Sequence, residues 1–451
     1  MQLLTIQALL KMLILNRFSE FFLKLFLLTF PFQVQVLLYK ADFFSGQFNV
    51  FSSFFVFLSE IFLLLALSSF ALQSFFSPNK EQKLLNSFSK LEVSMAVMMM
   101  ALLIWSICSV FWANDKVLSF LLALRLGELF GGIYLLLKKV LSREQLLKYL
   151  FYGAFFQVII GLGQYFKQGD LGLGFLGESH LSVDTLNVAK VNLGGEKILR
   201  AYGTFAHANI FGGYLIFCLG LLVQSLSREN FWKNFHFLLA FLIGILLSFS
   251  RSSWLALFAF GIVLLAVQAV KVNWKYLLIG GVLLLFTVVL FGLDQIILSR
   301  ISDFSLGALD QRLIFSEIAR DMISDNFILG VGGGNFVMNM SGYYSGVLSP
   351  WLFQPVHNFF LMAWAELGIV GVSLWLGVFA LMVKQINHSM RRIIKSERYY
   401  WKVYWALLFS MVILSMLDHY FYTTWSGQVV VFLMIGVIWM DYRWRREELA
   451  K

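Results

Sequence analysis

Arginine grips phosphate oxygens through a planar fork of donors, often two at once. Three arginines stand where such a fork would meet a head group or a lipid-linked pyrophosphate. Arg200 precedes Ala201-Tyr202-Gly203-Thr204-Phe205 at the mouth of an apolar run. Arg251 lies in Ser248-Phe249-Ser250-Arg251-Ser252-Ser253, a tight turn between two such runs. Arg312 shares a helical stripe with Phe315 and Ala319. Plain anchoring to lipid phosphates is the simpler alternative for each. Of the six histidines, His357 sits in Pro355-Val356-His357-Asn358, where a long polar stretch returns to an apolar one. An imidazole there titrates near neutral pH and can serve as a general base, or it can be a head-group anchor or helix cap. His207, in Phe205-Ala206-His207-Ala208-Asn209, has a similar location and suits packing equally well.

Other candidates are weaker. Gly330-Val331-Gly332-Gly333-Gly334-Asn335 follows a helical stretch instead of a strand, so a nucleotide loop is rejected. A tight turn whose amides approach an anion fits better. No Asp-x-Asp pair suggests a metal-bound nucleotide sugar. Arg125 and Glu128, three residues apart in one apolar run, share a helix face and read as a structural ion pair. Glu366 lies nine residues past His357 and, on a straight helix, faces away from it. Cys108 and Cys218 read as small apolar residues, without a disulfide or zinc framework.

The elements that must position these residues are membrane spans. The chain has 451 residues, 59% of them hydrophobic and 13% charged, with a mean hydropathy of +0.78. A soluble domain carries about 25% charge, so the bilayer must solvate most of this surface. The expected fold is a single all-α polytopic membrane domain over residues 1–451, with no removable signal peptide at its start. Apolar runs of about 20 residues predict spans at Phe18–Tyr39, Val50–Leu72, Val93–Phe111, Val117–Leu137, Leu146–Tyr165 and Thr204–Leu226. Six more follow at Phe235–Phe249, Ser252–Val270, Tyr276–Ile297, Asn358–Val383, Trp401–Leu417 and Thr423–Met440.

Charge orients the set. Lys80, Lys83 and Lys90 share one loop; Lys138, Lys139, Arg143 and Lys148 share the next but one. The alternation continues through Arg228 and Lys233, Lys271 and Lys275, Arg391 to Arg398, and Arg443 to Lys451. Every second loop is basic, so about twelve spans with both termini in the cytoplasm fit the positive-inside rule. The formal charge of +10 is thereby explained without nucleic acid. Two extracytoplasmic loops are long, 166–202 and 298–355. The second carries an amphipathic stretch, with Phe315, Ile318, Ala319, Met322 and Ile323 opposite Glu317, Arg320, Asp321 and Ser324. It is expected to lie in the membrane interface.

With the motifs in this order, the chain resembles the O-antigen ligase and O-antigen polymerase superfamily. Arg200-Ala-Tyr-Gly-Thr-Phe-Ala-His-Ala-Asn209 is similar to its Arg-x-x-Gly-Thr-Phe-x-His-Pro-Asn signature, with Ala208 in place of Pro. Ser250-Arg251-Ser-Ser-Trp254 is similar to its Ser-Arg-Gly-x-Trp element, with Ser252 in place of Gly. Arg312 with Leu329-Gly-Val-Gly-Gly-Gly-Asn-Phe336, then His357-Asn358 with Glu366-Leu-Gly368, resemble the last two elements. The resemblance implies a multi-spanning, metal-independent, inverting glycosyltransferase of the bacterial inner membrane that uses no cofactor. It would take a glycan from undecaprenyl pyrophosphate at the periplasmic face. The acceptor would be lipid A core in a ligase, a second lipid-linked glycan in a polymerase, or a protein hydroxyl. His357 would be the catalytic base. Arg200, Arg251 and Arg312 would hold the pyrophosphate, and His207, Asn209 and Asn358 would contact substrate. The rival reading is a lipid-linked oligosaccharide flippase or another transporter, which should line a central cavity with charge and show inverted repeats and broken helices.

The orientation is directly testable. With Cys108 and Cys218 removed, a cysteine at Ser341 should react with an impermeant maleimide applied to intact spheroplasts. Labelling only after lysis would reverse the assignment.

Overall fold

The computed structural model describes residues 2–41, 48–75, 88–227, 229–267, 289, 293–302, 306–345, 349, 352–393 and 398–449. In chain order the elements are α1 (Gln2–Thr29), β1 (Gln35–Lys40), β2 (Ser53–Phe57), α2 (Leu58–Phe75), α3 (Lys90–Cys108), α4 (Lys116–Leu137) and α5 (Arg143–Lys167). Then come β3 (Lys190–Leu193), β4 (Glu196–Leu199), α6 (Ala208–Ser225), α7 (Phe231–Leu247), α8 (Arg251–Ala266), α9 (Leu293–Ser302) and α10 (Leu306–Asp325). The last are α11 (Phe336–Asn339), α12 (Phe359–Arg392), α13 (Arg398–Leu417), α14 (Tyr420–Thr423) and α15 (Trp425–Leu449). Among the described residues eight helices are long and apolar enough to cross a membrane, and α7 and α8 are shorter apolar helices. The protein is an all-α polytopic membrane protein. The span expected at Tyr276–Ile297 and the loop lysines Lys80, Lys83, Lys271, Lys275 and Lys395 lie largely outside the described residues.

The helices start where local chemistry directs. Ser89 and Ser142 each close a capping box, with Glu92 and Gln145, and Asp115 caps α4. Helix α15 is the most enclosed of the candidate spans, with 94% of its apolar window buried. It packs on α4, α6 and α12. Elsewhere α12 lies along α3, and α13 rests against α6 and α8. Many exposed apolar side chains, such as Val97, Ile104, Phe120 and Leu124, lie on helix faces that would meet lipid.

Three boundaries differ from expectation. The first span does not reach Tyr39: α1 ends at Thr29, and Gln35–Lys40 pairs antiparallel with Ser53–Phe57. The second span therefore begins at Leu58, not Val50. The β-branched and aromatic run Ser53-Phe-Phe-Val-Phe57 follows strand propensity, which hydropathy alone does not separate from a helix. The third difference is at α6, which starts at Ala208 instead of Thr204; the preceding segment from Ala201 to Phe205 is buried turn. The loop at 166–202 is not passive chain. It holds the β3–β4 hairpin, and Asp170 fixes it by accepting from the Gly172 and Leu181 amides.

The large loop folds back onto the bundle. On α10, Phe315, Ile318, Ala319, Met322 and Ile323 are buried as the amphipathic spacing predicts, and they pack on Met362 and Ala365 of α12. Beyond α10 the chain turns at Gly330, Gly332 and Gly334, all with positive φ. There Gly334 N–H donates to Glu366 Oε2 at 2.7 Å and Phe336 N–H to Glu366 Oε1 at 3.1 Å. The anion that the Gly-rich turn was expected to approach is the protein's own carboxylate. Helix α12 is not straight. At Gly368, φ is 66° and ψ −173°, and Ile369 N–H leaves the helix to reach Phe327 O at 2.8 Å. The break lies after Glu366, so it does not alter the straight-helix expectation that turned Glu366 away from His357.

A side chain at Gly368 would be both strained and obstructed, since its Cβ would lie 2.0 Å from Ile328 O. Gly368→Ala should destabilise by at least about 1–3 kcal/mol, the cost of a strained backbone position. Gly261→Ala, whose Cβ would meet nothing within 4 Å, should be neutral or slightly stabilising. Thermal unfolding of the detergent-purified variants, followed by circular dichroism, compares them; equal midpoints would refute the docked break.

Candidate active site

At one end of the bundle the beginnings of α6, α8 and α12 meet the end of α13. His357 precedes α12 and is half-buried. Phe315 of α10 stacks on its ring at 6.1 Å with the planes 8° apart, and His419 meets it edge-on at 5.2 Å. The amphipathic helix therefore supplies one wall for this imidazole. His357 Nδ1 is buried without a hydrogen-bond partner in the protein. Next to it Asn358 caps α12, its Oδ1 accepting from the Phe360 and Leu361 amides. Its Nδ2 donates to Met416 O at 3.1 Å, which ties α12 to α13. The polar atoms of Asn358 are thus engaged in holding the frame.

Asp418 and His419 complete the centre. They follow α13, and ligand-type atoms of His357, Asp418 and His419 all lie within 4.8 Å of one another. Two imidazoles and a carboxylate at that spacing could hold a divalent cation, a possibility that the sequence spacing gave no reason to expect. They also suit proton handling. The buried Asp418 carboxylate accepts from the His419 amide at 2.8 Å and from Asn209 Nδ2 at 3.0 Å. Burial alone would raise its pKa, but His419, His357 and the Asn209 hydrogen bond hold it below the ordinary aspartate value. Burial pushes His357 below the usual histidine value; Asp418 opposes this shift and Arg312 adds to it. Burial also pushes His419 down, to about 3. Of the two imidazoles, His419 is thus the more strongly held against protonation.

The arginines join this centre by two routes. Arg200 is 4% exposed. Its Nε donates to Ser248 O at 2.7 Å and its Nη2 to Asn209 Oδ1 at 2.5 Å, so Asn209 bridges Arg200 to Asp418. Burial, then the charges of Arg300 and Arg251, drive the Arg200 pKa downwards. Three guanidinium groups thus lie within electrostatic reach of one another. Arg251 is exposed at the start of α8, after the Ser250 cap. Arg312 is exposed, unlike Phe315 and Ala319 on its stripe, yet its charge acts on His357 and His419. His207 caps α6, Nδ1 accepting from Asn209 N–H at 3.1 Å. Burial and Arg200 push its pKa down to about 3, which fits a neutral cap.

Sequence reasoning missed Asp418 and Arg300, and assigned no role to His419. Asp418 and His419 sit at the end of a span on the expected outer side, so topology alone could have proposed them. Arg300 lies in the large loop and comes near Arg200 only through folding. The sequence-based pairing of Arg125 with Glu128 needs correction. Arg125 grips Glu60 of α2 with two donors, at 2.7 and 2.9 Å, and also donates to Phe55 O. Glu128 hydrogen-bonds Glu60. Helical spacing could not reveal a partner on another helix.

The fold and site define a polytopic membrane protein with a cationic, imidazole-bearing centre at one end of its bundle. Residues 236–376 match a protein-family model described as O-antigen ligase. The matched stretch contains Arg251, Arg312, His357 and Glu366, and it supports the resemblance to the O-antigen ligase and polymerase superfamily. No curated protein matches the chain.

The corrected pairing makes a prediction. Glu60→Gln leaves Arg125 as a buried, uncompensated charge and should cost about 3–5 kcal/mol of stability. Glu128→Gln retains a donor towards Glu60 and should cost less than about 1 kcal/mol. The reverse ranking in thermal or denaturant unfolding would restore the Arg125–Glu128 pair.

Proposed function

We propose that the protein transfers a glycan from undecaprenyl pyrophosphate to an acceptor hydroxyl at the periplasmic face of the inner membrane. The observation that carries this reading is the meeting of His357, whose Nδ1 has no partner in the protein, with Arg200, which reaches the same centre through Asn209 and Asp418. His357 takes the proton of the acceptor hydroxyl as that oxygen attacks C1 of the donor sugar. The C1–O bond to the pyrophosphate breaks, and its electron pair leaves with the pyrophosphate oxygen. Attack opposite the leaving group inverts the anomeric centre. Asp418 stabilises the imidazolium that forms. Arg200, Arg251 and Arg312 bind the pyrophosphate and hold the charge that builds on it. His207, Asn209 and Asn358 act by positioning these groups rather than by touching the reacting atoms.

The reading needs neither metal nor cofactor. It favours a transferase over a flippase because the arginines gather at one end, although the break at Gly368 is a feature that transporters also use. Acceptors in keeping with the superfamily are lipid A core for a ligase, a lipid-linked glycan for a polymerase, and a protein hydroxyl.

Purified protein with donor and acceptor lipid tests the mechanism. His357→Ala should bind donor normally and lose about 10²–10⁴-fold in transfer rate, the usual contribution of a positioned base. Arg251→Lys and Arg312→Lys should lose much activity with charge retained, because lysine has no bidentate fork; Arg320→Lys should be mild. The rate should fall on the acid side as His357 protonates, at a pH below the usual histidine value. Arg312→Gln removes a positive neighbour, raises the His357 pKa and should move that limb to higher pH. Chelators should leave the wild type active. Loss on chelation, restored by a divalent cation, would instead make His357, Asp418 and His419 metal ligands. Near-normal turnover of His357→Ala would end the base assignment.

A further inference from the structure

A cavity of about 450 Å³ lies beside the imidazole pair and runs into the bundle between the β1–β2 hairpin and α4. Its size is within the range of small-molecule sites. It abuts the centre directly: Thr423 in its wall hydrogen-bonds His419 Nδ1 at 2.7 Å, and Phe51, also in the wall, packs edge-on against the same ring at 5.5 Å. Arg200, Arg251 and Arg312 are not among its lining residues.

The chemistry of the lining says what can enter. Arg125 is the one cation among the described lining residues, and Glu60 already holds it with two hydrogen bonds. The two lining carboxylates are likewise committed. Glu178 accepts from the Leu171 and Leu173 amides and from Gln164, and Glu366 accepts from Gly334 and Phe336. A phosphate would meet two carboxylates and a neutralised arginine, so an anion is disfavoured. A purely apolar tail is disfavoured too, because two amide groups are left over. Gln33 Nε2, a donor, and Gln428 Oε1, an acceptor, are buried in this lining without a partner. Leaving such groups unmade costs about 1–3 kcal/mol each. Gln428 is held in place because its Nε2 donates to Tyr422 O at 2.6 Å. Half-buried rings of Phe51 and Phe55 add flat apolar faces. A donor, an acceptor and aromatic faces in a pocket whose charged groups are already hydrogen-bonded within the protein match a neutral sugar ring, which offers hydroxyl edges and C–H faces.

Resting on the transferase reading above, we propose that this cavity is the acceptor subsite: it takes the neutral sugar that carries the attacking hydroxyl, with Gln33 and Gln428 as specificity-determining residues. The donor pyrophosphate stays on the arginine side. His357 and His419 stand between the two, where a base must be to collect the acceptor's proton.

The test uses the full-length protein in detergent micelles and two probes. One is a neutral core oligosaccharide freed of lipid and phosphate, the other inorganic pyrophosphate; both are followed by isothermal titration. The oligosaccharide should bind saturably, and about tenfold more weakly to Gln428→Leu and to Gln33→Leu. These variants sit on different elements, so a shared folding defect would show as altered melting and not as a shared affinity change. Pyrophosphate should bind both variants as it binds wild type and should not displace the oligosaccharide. In transfer assays with the same variants, the KM for acceptor lipid should rise about tenfold while the KM for donor lipid stays unchanged. Saturable binding of the sugar that is unaltered in both variants, or no binding at millimolar concentration, overturns the subsite. A rise in donor KM alone does so as well, by placing the donor glycan in the cavity. Wild-type protein that binds the sugar but transfers nothing would refute the transferase reading while leaving a glycan site in place.

Discussion

Much of the site-bearing end of this protein hangs on one carboxylate. Glu366 lies in a span, fully enclosed, and accepts two amide hydrogen bonds from the Gly-rich turn after α10. A buried carboxylate is tolerable only when its oxygens are satisfied, and here a loop supplies the donors. Fixing that turn fixes the end of α10, and α10 places Phe315 against His357. The same turn is tied to the α3–α4 junction, where Asn335 accepts from the Asp115 amide at 2.7 Å and donates to Ser119. Glycine is required because the turn runs at positive φ, and because the Cβ of a side chain at Gly330 would lie 2.4 Å from the Glu366 backbone. A loop that could have been mobile thus becomes a wall of the site.

The two ends of the bundle treat charge in opposite ways. At the basic end, cations are matched inside the protein. Arg143 pairs with Asp441, and Arg443 and Arg446 both pair with Glu92. At the other end Arg200 lies close enough to Arg251 and Arg300 for both to depress its pKa. Like charges held together in a folded protein oppose its stability. In the proposed reaction the anionic pyrophosphate would offset that cost.

Much of this was legible in the sequence. Arg251 reads as the start of a span because Ser250 is a good cap and the runs on either side are apolar. The buried face of α10 follows from Phe315, Ile318, Ala319 and Met322 at helical spacing. What was not legible depends on contacts between elements remote in the chain. Asp418 becomes part of the centre only because Asn209, more than two hundred residues earlier, bridges it to Arg200. Arg125 finds Glu60, not its helical neighbour, because α2 packs beside α4. The β1–β2 hairpin was hidden because aromatic and β-branched residues score as apolar in either conformation. The break at Gly368 was hidden because a single glycine in an apolar run is compatible with a continuous helix.

These features together explain how one small centre could serve two bulky lipid-linked substrates. A donor with a charged bridge and an acceptor with a neutral sugar differ most in charge, and in the proposed reaction they are separated on that basis. Arginines gather on one flank, while the opposite flank carries a cavity whose charged groups are hydrogen-bonded within the protein. In the proposed reaction the proton moves between the two flanks, where His357 and His419 stand. His357 is better placed than His419 because its Nδ1 has no partner in the protein, whereas His419 Nδ1 is engaged by Thr423. His419 then orients the ring edge-on from one side and Phe315 stacks on it from the other. The proposed base is therefore the ring whose Nδ1 is left unpaired by its neighbours, and that is decided by packing between α10, α12 and α13.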